Sequence, residues 1–172
     1  SLVGSEMCIR DRLEAAYVDY KASPEEFAYH VVSYDVMQSA LAGSVAYYQA
    51  TLTVANVVIS ENSRTGKQSE YGLAFDRETG EHLDMEVLFS RPWDDTADAL
   101  IAAANVTGPG KARIMAERLA PEGVCIFDYA VTFNYPSGVL GDVSTSAYIS
   151  PEQLPDGLLQ SWAEPEAWSE TE

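Results

Sequence analysis

The spacing of apolar positions changes period several times along this chain, and each change marks a predicted element. From residue 45 to residue 54, Ala46, Tyr48, Ala50, Leu52 and Val54 alternate with Gln49, Thr51 and Thr53. Period two is the pattern of a half-buried strand. A further apolar run at residues 57–59 leads into residues 62–67, whose polar side chains and glycine predict a turn. Tyr71, Leu73 and Phe75 alternate again, and Asp76-Arg77-Glu78-Thr79-Gly80 predicts the next reversal. The spacing then lengthens: Ala97, Leu100, Ile101 and Ala104 fall at i, i+3, i+4 and i+7 behind Asp94 and Asp95, either of which is expected to cap a helix. Ala112, Met115, Ala116 and Leu119 repeat that stripe between Gly108-Pro109-Gly110 and Pro121. Next, Cys125, Phe127, Tyr129, Val131, Phe133 and Tyr135 alternate with Ile126, Asp128, Ala130, Thr132 and Asn134, the pattern of one long strand with an aromatic buried face. Pro136-Ser137-Gly138 breaks it, and residues 143–149 resume an extended segment.

Two start signals flank this series. Ser23-Pro24-Glu25-Glu26 and Ser150-Pro151-Glu152-Gln153 each set a serine N-cap before proline, with a glutamate or glutamine three residues after the cap. Each predicts a short helix, the first running to Tyr29 or beyond. Residues 163–172 are acidic and are expected to be a frayed tail. Strands grouped before and after a helical pair predict an α+β fold, an antiparallel β-sheet (meander) with two or three helices packed on one face.

Length and composition fit one domain over residues 13–162: 172 residues with 47% hydrophobic content can bury roughly two thirds of the surface the unfolded chain exposes. Residues 1–12, SLVGSEMCIRDR, resemble the in-frame translation of a sequencing adapter and are set aside from fold reasoning. On that reading the natural start, with a signal peptide or membrane anchor, is expected to lie upstream of Leu13, and Cys125 is the only native cysteine of the segment. A cysteine between Val124 and Ile126 is expected to be a small buried hydrophobe.

Charge narrows the partners. A net charge of −17 is repelled by phosphate backbones and anionic lipid head groups, so no nucleic acid partner is expected, and membrane contact only through a missing anchor. The same charge serves solubility or attracts a basic protein. His30 and His82 are the only histidines and have no zinc-ligand spacing, and no nucleophile elbow, phosphate loop or dinucleotide fingerprint is present. Asp94, Asp95 and Asp98 at a helix start are explained by the helix dipole, with calcium as the alternative. Asp128 is expected to be solvated rather than catalytic. Asn105-Val106-Thr107 matches a glycosylation acceptor and is read as chance. No catalytic residue, cofactor or metal is assigned. Ten tyrosines combine apolar rings with polar tips suited to interfaces. Tyr47, Tyr48, Tyr135 and Tyr148 are candidates to line a groove or, alternatively, to pack the sheets.

Phe75-Asp76-Arg77-Glu78-Thr79-Gly80-Glu81-His82-Leu83, followed by Leu88-Phe89, resembles the extracytoplasmic domain of the lysozyme-sensing anti-sigma factor RsiV, found also beside the deacetylase domain of PdaC. The resemblance continues through Phe133-Asn134-Tyr135-Pro136, Gly138 and Gly141, and Tyr148-Ile149 into Ser150-Pro151-Glu152-Gln153-Leu154. It spans residues 45–159. The Gly-Gly-Ala-His stretch of that family has no counterpart at residues 67–72. The resemblance implies a location outside the cytoplasm and a non-enzymatic recognition role, with lysozyme or cell-wall glycan as ligand. The loop carrying Tyr135, Pro136, Gly138 and Gly141 is the candidate contact, since loops on a rigid sheet carry function. The alternatives are a carbohydrate-active enzyme or accessory domain of a peptidoglycan deacetylase, and a structural lipoprotein domain.

Overall fold

The computed structural model describes residues 29–58 and 63–171, with the isolated positions Glu14 and Val18. The chain folds as α+β, with antiparallel strands and, among the residues described from Tyr29 onward, two α-helices. The strands form two sheets rather than one.

The first sheet is the meander β1 (Tyr29–Leu41), β2 (Val45–Val58), β3 (Ser63–Asp76) and β4 (His82–Leu83), each strand antiparallel to the next. β2 joins both apolar runs into one strand. Of the turn expected at residues 62–67, residues 63–67 are strand instead: Ser63 pairs with Val58 and Lys67 with Val54. Continuing the ladder pairs the backbone groups of residues 63–67 that face β2, which outweighs the local turn preference of Thr65 and Gly66. β1 had no period-two signal because its apolar residues do not share one face; Val31, Val36 and Met37 are exposed, whereas Ala40 is buried. The helix start expected at Ser23-Pro24-Glu25-Glu26 lies outside the described residues, and from Tyr29 onward the chain is strand.

The turn between β3 and β4 forms as expected. Asp76 Oδ1 accepts hydrogen bonds from the Thr79 amide at 2.7 Å, the Thr79 hydroxyl at 3.0 Å and the Glu78 amide at 2.9 Å, and Gly80 takes φ of 70°. Donation from Thr79, above all from its amide, holds the Asp76 carboxyl below its usual range.

Helices α1 (Trp93–Ala103) and α2 (Pro109–Arg118) occupy the two stripes. The N-cap of α1 is Pro92, so Asp94 and Asp95 stand in its first turn and cap nothing with their side chains. Ala97, Leu100, Ile101, Met115 and Leu119 share one apolar cluster with Val124, Ile126, Val131, Phe133, Tyr135 and Ile149. That cluster is where the helices meet the second sheet.

This sheet is β5 (Val124–Phe127), β6 (Ala130–Tyr135) and β7 (Thr145–Ile149), in that order and antiparallel. The single strand expected over residues 125–135 is therefore a hairpin, with Asp128 and Tyr129 as its two-residue loop between the paired Phe127 and Ala130. The reversal exchanges faces: Val124 pairs with Phe133 and Ile126 with Val131, whereas Cys125 pairs with Thr132. Val131, Phe133 and Tyr135 thus share a face with Val124 and Ile126, not with Cys125 and Phe127. Cys125, Phe127 and Ala130 form their own buried cluster on the opposite side. There the meander approaches closely enough that a Cβ on Gly72 of β3 would lie 1.7 Å from the Val124 carbonyl oxygen.

The C-terminal segment is not frayed. Ala163 is fully buried, its carbonyl accepts the Tyr47 hydroxyl at 2.5 Å, and Pro165 bridges to Ala42. Trp168 donates its indole N–H to the Phe127 carbonyl at 3.1 Å, and Glu166 pairs with Arg77 at 2.9 Å. The expectation failed because it weighed the glutamates and not the apolar Ala163, Pro165 and Trp168 set between them.

Candidate functional site

The four candidate tyrosines do not meet in a groove. Tyr47 and Tyr135 are core residues, each 1% exposed, with their hydroxyls donated to the carbonyls of Ala163 and Met115. Burial raises the pKa of both phenols. Tyr48 packs edge-on against Phe75 at 5.7 Å on the meander. Tyr148 is exposed on β7, its hydroxyl 3.4 Å from the carbonyl of Tyr129, itself an exposed loop residue.

The candidate contact loop divides in the same way. The Tyr135 side chain faces the core, so its ring is withdrawn from any partner; Pro136 is half-buried, and Gly138 and Gly141 are exposed. The Gly138 amide donates to the Gly141 carbonyl at 2.6 Å, closing the loop on itself, and the Arg118 guanidinium donates to the Val139 carbonyl. Beside it, a polar cavity of about 150 Å³ lies between β3 and the ends of β6 and β7. Gln68, Glu70, Asn134, Pro136, Ser144 and Ser146 contribute to its wall. The structure thus brings Tyr135 and Pro136 to this cavity and leaves Gly138 and Gly141 outside its lining.

Cys125, His82 and Asp128 form no common cluster. Cys125 is fully buried, and burial, with the Glu70 carboxylate adding to it, pushes its thiol up to about 12. Such a thiol is protonated near neutrality and inert as a nucleophile. His82 is exposed at β4 and stacks edge-on against Phe75 at 5.5 Å; His30 pairs with Asn56 in the ladder. Asp128 is exposed at the β5–β6 loop, where its amide donates to the Ser39 carbonyl at 3.2 Å. Among the described residues, no group of three His, Cys, Asp or Glu side chains is arranged to hold a metal ion.

The larger concavity was missed by sequence reasoning. A groove of about 570 Å³ opens between the segment after β7 and the C-terminal segment. Leu154, Leu158 and Trp168 line it, and Glu152, Asp156 and Glu164 stand in its wall. Ser150-Pro151-Glu152-Gln153 positions one side as a 3₁₀ turn with the expected capping box. The Ser150 hydroxyl holds the Glu152 carboxyl below its usual range. The signal for the groove was Trp168, an aromatic inside a stretch read as solvated tail. No family model matches the chain, and no curated protein matches it.

Proposed function

We propose that this chain is a non-enzymatic recognition domain of a bacterial envelope protein, acting outside the cytoplasm, whose partner is a basic protein such as lysozyme. The observation that carries the reading is the uneven placement of charge. β1, β2 and β3 together contain the carboxylates of Asp35, Glu70 and Asp76 against the cations Arg64 and Lys67, and β2 has no charged side chain at all. Most of the carboxylates behind the net charge of −17 fall after Asp76, on turns, helices and the C-terminal segment. An anionic surface of this kind steers a cationic partner and speeds encounter, an effect that salt weakens. The RsiV-like pattern around Thr79-Gly80 and Ser150-Pro151 supports lysozyme as the first partner to test.

The test is retention of lysozyme on the immobilised domain at physiological salt, beside an unrelated protein of equal net charge. Retention well above that reference is expected; equal retention refutes the reading.

The polar cavity favours a second ligand class, a hydroxyl-rich fragment of wall glycan, because its serines and amides offer both donors and acceptors. Titration with muropeptides, followed by amide chemical shifts, is expected to move Ser144 and Ser146 first. Shifts spread without preference would count against it.

A further inference from the structure

The groove between the segment after β7 and the C-terminal segment combines three properties. Its floor is apolar and fixed: Leu158 and Leu159 are buried in the main cluster, the Ser90 amide donates to the Leu158 carbonyl at 2.9 Å, and the Gln160 amide donates to the Leu88 carbonyl at 2.8 Å. Its wall is anionic: Glu152, Asp156 and Glu164 are exposed, none is in an ion pair among the described residues, and no lysine or arginine lines the groove. Arg77, which contacts the C-terminal segment, is committed to Glu166 and to the Ala42 carbonyl. Finally, at about 570 Å³ the groove is large enough for several side chains of a bound segment.

From this geometry we infer that the groove is the docking site for a cationic segment of a protein partner, one that sets arginine or lysine side chains against Glu152, Asp156 and Glu164 and lays apolar side chains on Leu154 and Pro155. Charge complementarity selects this occupant. A second copy of the chain would bring a net charge of −17 to an anionic wall, and an anionic glycan or lipid would be repelled in the same way. The inference deepens the basic-partner reading and rests on it for the identity of the partner, not for the position of the site.

The experiment compares three versions of this chain by calorimetric titration at physiological salt: the wild type, the groove variant E152Q/D156N/E164Q, and the reference variant D94N/D95N/D98N on the exposed first turns of α1. Both variants remove three charges, so a diffuse attraction weakens equally in each. Thermal melting verifies that both are folded. The probes are lysozyme and a synthetic peptide alternating arginine and leucine. The groove variant is expected to bind each probe at least tenfold more weakly, the reference variant within about twofold of the wild type. Equal losses in the two variants, or an unchanged groove variant, overturn the groove while leaving a basic partner in place. A wild type that binds the peptide through the groove but ignores lysozyme keeps the groove and removes lysozyme. A wild type that binds neither probe overturns both.

Discussion

Gly72 shows how much of the architecture can rest on one missing side chain. It sits in β3, paired with Gln49, where the meander meets the backbone of β5, and a Cβ there would lie 1.7 Å from the Val124 carbonyl oxygen and 2.8 Å from its carbon. The obstacle is backbone, which cannot step aside as a flexible side-chain tip can. Gly72→Ala is therefore expected to destabilise the fold by about 2–3 kcal/mol or more, as overpacking does in tight cores. Gly43→Ala, where a Cβ meets nothing within 4 Å, is expected to change stability by less than about 0.5 kcal/mol. Denaturant midpoints of the two variants check the contrast. Cys125 supports a second prediction of this kind. Its thiol, ordinarily near 9.0, is pushed up to about 12 in the folded protein. The folded state thus keeps a proton that the unfolded state gives up. Its contribution is fully present below pH 9.0 and is lost as pH rises toward 12, at about 1.4 kcal/mol per pH unit within that window. Cys125→Ala is expected to flatten the decline in unfolding free energy between pH 9 and 10 by about that slope. An unchanged slope would show that the thiol does not stay protonated in the fold.

At the level of elements, sequence periodicity located what was repetitive and failed where a face was shared or exchanged. Both helices stand where the Ala97–Leu100–Ile101 and Met115–Leu119 stripes put them, because one-sided burial leaves a period that side-chain spacing preserves. The Asp76–Gly80 turn was legible because its chemistry is local. The β5–β6 hairpin was not. Its loop residues Asp128 and Tyr129 both keep negative φ, so the glycine or asparagine that marks tight two-residue turns is absent, and both faces of the sheet are buried, which hides the change of parity. Of the candidate site, the sequence named Tyr135 and Pro136, which line the polar cavity, but not the groove, which is lined from residues 151–168 and whose signal, Trp168, lay inside a stretch read as tail. The C-terminal segment gives this a measurable form. Truncation after Gln160 removes the acceptor of the buried Tyr47 hydroxyl, the Ala42 bridge and the Trp168 cover over Phe127. A loss of about 3 kcal/mol is expected in urea unfolding, since a buried phenol without its partner alone costs about 1–3 kcal/mol. A frayed tail would leave the midpoint unmoved.

For the whole molecule, charge and packing pull in opposite directions. The fold brings its carboxylates together on turns, helices and the C-terminal segment, while the described ion pairs are only Arg77–Glu166 and Arg113–Glu117, both largely exposed. Exposed pairs of this sort contribute at most about 1 kcal/mol each, too little to offset the self-repulsion of a chain at −17. The apolar cluster joining helices, second sheet and C-terminal segment must therefore hold the fold against its own surface. Screening relieves that repulsion, since the Debye length shortens from about 30 Å at 10 mM salt to about 8 Å at physiological strength. The melting temperature is accordingly expected to rise by several degrees between those two sodium chloride concentrations, most of the gain coming at the low end. Affinity for a cationic partner should fall over the same range, because the attraction and the self-repulsion arise from the same carboxylates. Scanning calorimetry beside lysozyme titration at matched salt reads both trends. Melting that is flat in salt would mean that the fold spaces its carboxylates widely enough to remove the repulsion, and steering by the surface would then be weak as well.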